Sequence, residues 1–354
     1  MAVKRRTSNK NPPILSHEFV IQNHADIVAC VAMVFVVGLM FQVTSPAASL
    51  FIALHHNVSV PIEVGPEGQT ADIMFYTAGL KDVAATFFYL LIAIVMHQII
   101  QEYMLDKFNR KLHLSKIKHA KFNESGQLLA FYLVSILWGA DILLRENLFA
   151  VPLLWEGYPH VHMTFIFKFF FIVQIAYWLH IYPELYFQKV KREDMGPRVQ
   201  YATLYLAFIV GAYVMSFTRV ALCLLLLQYV VEALFHACRL LSYGDKPQIA
   251  RPLYRLHDLF FLLARLGSIS LAVLVFWYGL AQAPKEHQVI DIAHGNFNTF
   301  LFRVNVLGAV GLLQVVQWNE GDRPNFLFFR SKIVTVAFIY SCRPGSCGTS
   351  SLST

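Results

Sequence analysis

Eight times the chain returns to an apolar run of about twenty positions, at 27–43, 83–100, 128–144, 163–181, 201–217, 220–241, 259–280 and 298–318. That recurrence constrains the fold more than any motif does. A hydrocarbon core of about 30 Å is crossed by roughly 20 helical residues. In lipid an unpaired backbone N–H or C=O costs several kcal/mol, so runs of this length must close their hydrogen bonds within a helix. Composition agrees, because 56% of residues are hydrophobic and only 14% charged, against about 25% charged in soluble domains. The sequence predicts an all-α, polytopic membrane protein with eight transmembrane helices.

A net charge of +7 would raise nucleic acid as a partner for a soluble protein, but in a membrane protein the placement of the cations carries the meaning. Lys4, Arg5, Arg6 and Lys10 precede the first run, and Lys107, Arg110, Lys111, Lys116, Lys118 and Lys121 follow the second. Lys189, Lys191, Arg192 and Arg198 follow the fourth, Arg239, Lys246, Arg251 and Arg255 the sixth, and Arg323, Arg330, Lys332 and Arg343 the eighth. The alternate loops hold only Lys81, Arg145, Arg219 and Lys285. Positive charge collects on the cytosolic side, so both termini are expected in the cytosol and no nucleic-acid partner is expected. The first 26 residues are polar and lead straight into an apolar run, which predicts an uncleaved signal anchor.

This orientation places 44–82 on the lumenal or exterior side. The sequon Asn57-Val58-Ser59 lies there and is the expected glycosylation site; Asn123-Glu124-Ser125 lies on the basic side and is expected to stay unmodified. Cys30, Cys223, Cys238, Cys342 and Cys347 have no metal-ligand spacing and read as free thiols. HExxH, GxSxG and phosphate-loop patterns are missing too, so no cofactor, metal or soluble-type active site is expected.

Polar groups inside hydrocarbon are costly and mark either a seam or a site. In the sixth run Gln228, Glu232, His236 and Arg239 fall four, four and three apart, on one helical face. Two readings stand: a polar lining that receives a passing substrate, or an interhelical seam in which Glu232 pairs with His236 or with a distant cation. Leu225 and Leu226 are expected to point elsewhere. Lys168, Gln174, Arg265, Ser268 and Arg303 are candidates to converge on the same interior, and Asp141 with Arg145 reads as an exposed pair one turn apart. The basic segment 101–127 either marks topology or lies on anionic headgroups.

Several stretches resemble one family. LSHEFVIQNHADIVA at 15–29, GLMFQVT at 38–44, QEYMLDKFNRKLHLSKIKHAKFNESGQ at 101–127, YPHVHMTF at 158–165, AYWLHIYPELYFQKVKRED at 176–194 and GNFNT at 295–299 are similar to the translocating chain-associating membrane proteins of the endoplasmic reticulum. The resemblance implies a place beside the Sec translocon, where such a protein assists nascent secretory and membrane polypeptides, their signal sequences and transmembrane segments, out of the channel and into membrane lipids. It also implies a TLC domain and a lumenal glycan at Asn57. The corresponding division is a cytosolic segment 1–26, two transmembrane helices with the lumenal loop at 27–116, a six-helix TLC domain at 117–318, and a tail at 319–354 whose NEGDRPNFLFFRSKIVTVAF departs from the family and suits an alternative splice form or frameshift.

The TLC superfamily also contains ceramide synthases, so acyl transfer or lipid binding is the alternative reading. Their signature resembles HDxxDxxLE, a histidine for acid–base work oriented by carboxylates. Laid on the sixth run it puts Gln228 at the histidine, Tyr229 at the first aspartate and Glu232 at the second. The histidine pair expected near the fifth run is replaced by DMGPRVQYATLY at 194–205. Glutamine cannot exchange a proton near neutrality, so the expectation is a protein that is not an enzyme.

Overall fold

The computed structural model describes residues 16–63, 70–244, 246–284, 288–292 and 295–319. The tail beyond Asn319, the basic N-terminal residues, Cys342 and Cys347 lie outside them. Each of the eight apolar runs is mainly helical. In chain order the helices are α1 (His17–Gln22), α2 (His24–Gly38), α3 (Ser45–Ile52), α4 (Asp82–Ile99), α5 (Asp106–Leu112), α6 (Lys116–Arg145), α7 (Phe165–Phe187), α8 (Arg192–Val214), α9 (Thr218–Tyr243), α10 (Pro247–Ala272) and α11 (Phe300–Asn319). A wide helical turn at Ile100–Leu105 joins α4 to α5, and a second at Val273–Gly279 extends α10.

Five of these helical segments are long and apolar enough to cross a membrane: 82–112, 116–145, 165–187, 218–243 and 248–282. Helix α2 is apolar but shorter, as is the stretch Phe300–Val315 of α11. Helix α8 spends its first turns on Arg192, Glu193, Asp194 and Arg198, which leaves only Tyr201–Val214 for lipid. The expected class holds, therefore, while the count of eight full spans does not follow from length and apolarity.

Two departures from an all-helical chain lie at one end. Strands β1 (Asn57–Glu63) and β2 (Thr70–Tyr76) form an antiparallel hairpin with Asn57 opposite Tyr76, and β3 (Ile290–Asp291) pairs with β4 (Asn296–Phe297). Val58, Val60, Ile73 and Phe75 supply the branched and aromatic side chains that favour extended backbone. The segment before the first span is also not wholly irregular: Ser16 caps α1 by accepting from the Phe19 N–H, 3.2 Å.

Helix α9 packs between α6 and α10, and α7 between α4 and α8. Lipid tails are as apolar as leucine, so close backbone approach rather than water exclusion drives such contacts. Gly139 shows how: a Cβ there would lie 2.6 Å from Leu226 Cδ2 of α9. The core is largely aromatic, with Tyr132, Phe170, Phe171, Trp178 and Tyr229 wholly enclosed.

Four connections meet at the hairpin end. Tyr76 and Met163 exchange backbone hydrogen bonds. The Tyr158 hydroxyl donates to Met215 O, 3.0 Å, and accepts from the Phe297 N–H, 3.1 Å. Arg219 donates to Leu153 O, 2.9 Å. Arg219 thus belongs to the first turn of α9, and the break between the fifth and sixth runs falls at Met215–Phe217, where Ser216 takes φ +58°. The described parts of the four cation-poor connections, 44–82, 146–164, 215–217 and 280–299, thus gather at one end.

Candidate functional site

Along α9 Gln228, Glu232 and His236 share one buried face, and Arg239, a turn further on, is half-buried. Gln228 Nε2 donates to Glu232 Oε1, 2.9 Å, and Glu232 Oε2 lies 4.0 Å from His236 Nε2. Arg239 stays out of this chain and instead donates to the Tyr243 hydroxyl, 3.2 Å. The helix's own four-residue spacing makes these links, so much of the stripe is satisfied without a neighbouring helix. His236 also stacks on Tyr132 of α6, with ring centroids 5.9 Å apart.

Around the stripe lies a network of phenols that the sequence did not disclose. Tyr132 and Tyr201 share a hydroxyl hydrogen bond of 2.9 Å. Tyr229 accepts from Trp178 Nε1, 3.2 Å, and donates to Gln174 Oε1, 2.8 Å, while Gln174 Nε2 donates to Ser135, 2.9 Å. Trp178 and Tyr205 stack at 4.2 Å, nearly parallel. Tyrosine in an apolar run reads as a large hydrophobe, so its phenol gave no signal until a partner on another helix was placed beside it.

Gln228 opens into a cleft between α8, α9, α10 and α11, with Tyr205, Leu225, Ser268 and Gln314 among its walls. Its cavity volume is about 60 Å³. Drug-sized pockets run to about 300 Å³ or more, so this cleft is small. Leu225 lines the cleft, contrary to expectation, because three residues from Gln228 is a neighbouring position on a helix. Leu226 packs on α6 at Gly139 instead.

The other intramembrane polar residues divide. Gln174 joins the phenol network, Ser268 reaches the cleft, and Arg265 donates to Gln314 at its edge, 2.6 Å. Lys168 and Arg303 do not converge there. Arg303 donates to Leu280 O, 3.0 Å, and Asn298 Oδ1, 2.9 Å, tying α11 to the end of α10. Lys168 is wholly buried, 2.6 Å from Asp82 Oδ1, and donates to the carbonyls of His55 and Thr77, both at 2.8 Å. Asp82 Oδ2 accepts from the Gly79 N–H, 2.8 Å, and the Tyr213 hydroxyl, 2.7 Å. All three ammonium protons are thereby used, and the hairpin loop is fastened to α7 and α8. Asp141 and Arg145 form the expected exposed pair, 2.7 Å.

Both sequons are described. Asn57 is exposed at the start of β1. Asn123 lies within α6, its side chain accepting from Asn109 and 3.4 Å from His119. In the connection beneath the hairpin, His160 bonds Leu154 O at 3.2 Å; burial, helped by Arg219, lowers its pKa to about 4.

At the cleft the stripe presents the Gln228 amide, which offers hydrogen bonds and exchanges no proton near neutrality. Gln228 occupies the position at which a ceramide-synthase pattern needs a histidine, and the neighbouring Tyr229 is committed to Gln174 and Trp178. Among the described residues no group of His, Cys, Asp and Glu is arranged to hold a metal ion.

Residues 121–319 match the TLC domain. The chain is 46% identical over 310 residues, 87% of its length and 80% of the relative's, to Translocating chain-associated membrane protein 2 of Homo sapiens. Against the protein of the same name from Mus musculus it is 46% identical over 317 residues, 89% of the chain and 82% of the relative. Similarity to Ceramide synthase 4 of Mus musculus is more distant, 28% identity over 147 residues, 41% of the chain and 37% of the relative. The long identity to the former group shows the family: the chain is a multi-pass membrane protein of the TLC domain family and belongs within it to the translocating chain-associated membrane proteins.

Proposed function

We propose that the protein assists translocating secretory polypeptides and the insertion of nascent membrane proteins in the endoplasmic reticulum membrane, beside the Sec translocon, without catalysing a reaction. The observation that carries this reading is the family membership, 46% identity across 87% of the chain. The α9 face supplies a physical means. A passing segment too polar for direct transfer to lipid needs hydrogen-bonding groups in an apolar wall, since each unpaired polar group there costs about 1–3 kcal/mol. Gln228, Ser268 and Gln314 present such groups at the cleft, and Glu232, His236 and Arg239 extend the polar lining behind it.

Acyl transfer is the second reading, favoured only by the distant ceramide-synthase similarity. A 60 Å³ cleft without a histidine beside Gln228 argues against it. The orientation proposed has both termini in the cytosol and Asn57 in the lumen; Asn57→Gln should then abolish the single glycosidase-sensitive mobility shift, and a shift surviving in that variant reverses the orientation.

The test of the lining is photocrosslinking in microsomes. A photoreactive side chain at Gln228 should capture a stalled, weakly hydrophobic signal sequence several-fold more than one at Leu226, which faces Gly139. Equal yields from the two positions would reduce the stripe to a structural seam.

A further inference from the structure

The helical segment 82–112 holds 31 residues and α6 holds 30, about 46 and 45 Å of helix against about 30 Å of hydrocarbon. Val83, 70% exposed, stands at one end of the first segment, and Leu144, 67% exposed, stands at the same end of α6. Both helices therefore overrun the hydrocarbon at the opposite end, where they turn through His113, φ +48°, and Ser115. The overrun is braced. A Cβ on Gly126 would fall 2.3 Å from Leu105 Cδ2, and the Asn109 amide donates to Asn123 across the pair. A rigid elbow thus stands at and beyond the headgroup level.

Two kinds of side chain cover it. Lys107, Lys111, Lys116 and Lys121 are exposed, and among the described residues none of the four forms an ion pair. The acids nearby are engaged elsewhere: Glu124 with Arg198 at 2.8 Å, Asp106 with Gln101 at 2.8 Å. Interleaved with the lysines, Phe108 is 54% exposed and Ile117 75% exposed, beside Tyr103 at 63% with Lys107 Nζ 5.8 Å from its ring centre. Lysines alone would suit any polyanion. Large apolar side chains beside them suit a surface with an apolar layer beneath its charge, into which they sink while the ammonium groups reach the phosphates.

We propose that the α5–α6 elbow is a binding site for anionic phospholipid headgroups, clamping the protein to the negatively charged lipids of the leaflet it crosses. The site is independent of the α9 cleft and of the translocation reading. Its test uses the full-length protein in mixed micelles with equal phosphatidylinositol and phosphatidylcholine, the retained lipids being counted by native mass spectrometry.

Wild type should retain phosphatidylinositol about fivefold or more over phosphatidylcholine, since each cation near a headgroup layer contributes on that scale. The combined variant Lys107→Gln, Lys111→Gln, Lys116→Gln and Lys121→Gln should bring the ratio close to one with an unchanged melting temperature. Lys189→Gln with Lys191→Gln, on the separate α7–α8 turn, should keep it. No preference in wild type, or a preference that the fourfold variant retains, overturns the proposal and leaves these lysines as markers of topology. Binding of ribosomal RNA through the same lysines, with no lipid preference, overturns it in favour of a nucleic-acid partner.

Discussion

Two buried ionic sites in this molecule are built in opposite ways. Lys168 and Asp82 sit at the hairpin end with every ammonium proton used and both carboxylate oxygens engaged, by groups from the hairpin loop, α7 and α8. Glu232 sits in α9 with Gln228 one turn before it and His236 one turn after, the latter 4.0 Å away. The first site ties distant parts of the chain together and leaves nothing over for a ligand. The second is linked mainly along its own helix, with His236 also stacked on Tyr132, and borders a cleft. Equal burial therefore conceals unequal roles, and what separates them is how far along the chain the partners come from.

The comparison breaks most easily at Lys168. Lys168→Met removes one half of a fully desolvated pair and leaves Asp82 uncompensated, an effect of about 3–5 kcal/mol. Thermal unfolding in detergent should show a larger loss than either Glu232→Leu or His160→Gln produces. Combining Lys168→Met with Asp82→Leu should recover part of that loss, because the unpaired charge goes with its partner. If Lys168→Met unfolds at the wild-type temperature, the cap is not the fastening that its geometry describes.

Glu232→Leu is the matched experiment in α9. It deprives the Gln228 amide of its acceptor, at a cost of about 1–3 kcal/mol, and Glu232→Gln should restore most of the stability because an amide oxygen can accept the same hydrogen bond. A destabilisation as large as that of Lys168→Met would make the stripe a fastening too, and would remove the distinction between the sites. Reduced insertion of a weakly hydrophobic segment at unchanged stability in Glu232→Gln would sharpen it.

The smallest effect concerns His160, in the connection at the hairpin end. Its folded pKa is about 4, lowered by burial from an ordinary 6.5, so the unfolded chain binds the proton first. Stability is then complete above about pH 6.5 and falls as the pH drops from 6.5 towards 4. The loss is under about 1 kcal/mol between pH 7 and pH 6 and about 2 kcal/mol by pH 5. His160→Gln, which keeps a donor for Leu154 O, should flatten that part of the profile; an unaltered slope would assign the acid sensitivity to other groups.

How much of this could be read in advance follows from what each feature depends on. Gln228, Glu232 and His236 share a face because of helical periodicity, and that is local. The exposed Asp141–Arg145 pair is local for the same reason. Lys168 misled the sequence reading because a lysine in an apolar run announces a partner without naming it, and Asp82 lies 86 residues earlier in the chain. The β1–β2 hairpin was missed since its branched residues read only as part of a lumenal loop between spans.

The amino-acid sequence by itself determined the solvent, the helical class, the alternation of basic and nonbasic connections, and the family, because each rests on hydropathy, charge or residue identity along a continuous stretch. Tertiary structure alone decided which polar groups are spent on one another and which border a cleft. That choice depends on distances between helices remote in sequence: Lys168 reaches two carbonyls and a carboxylate that no periodicity connects, whereas Gln228 reaches a space enclosed by four helices.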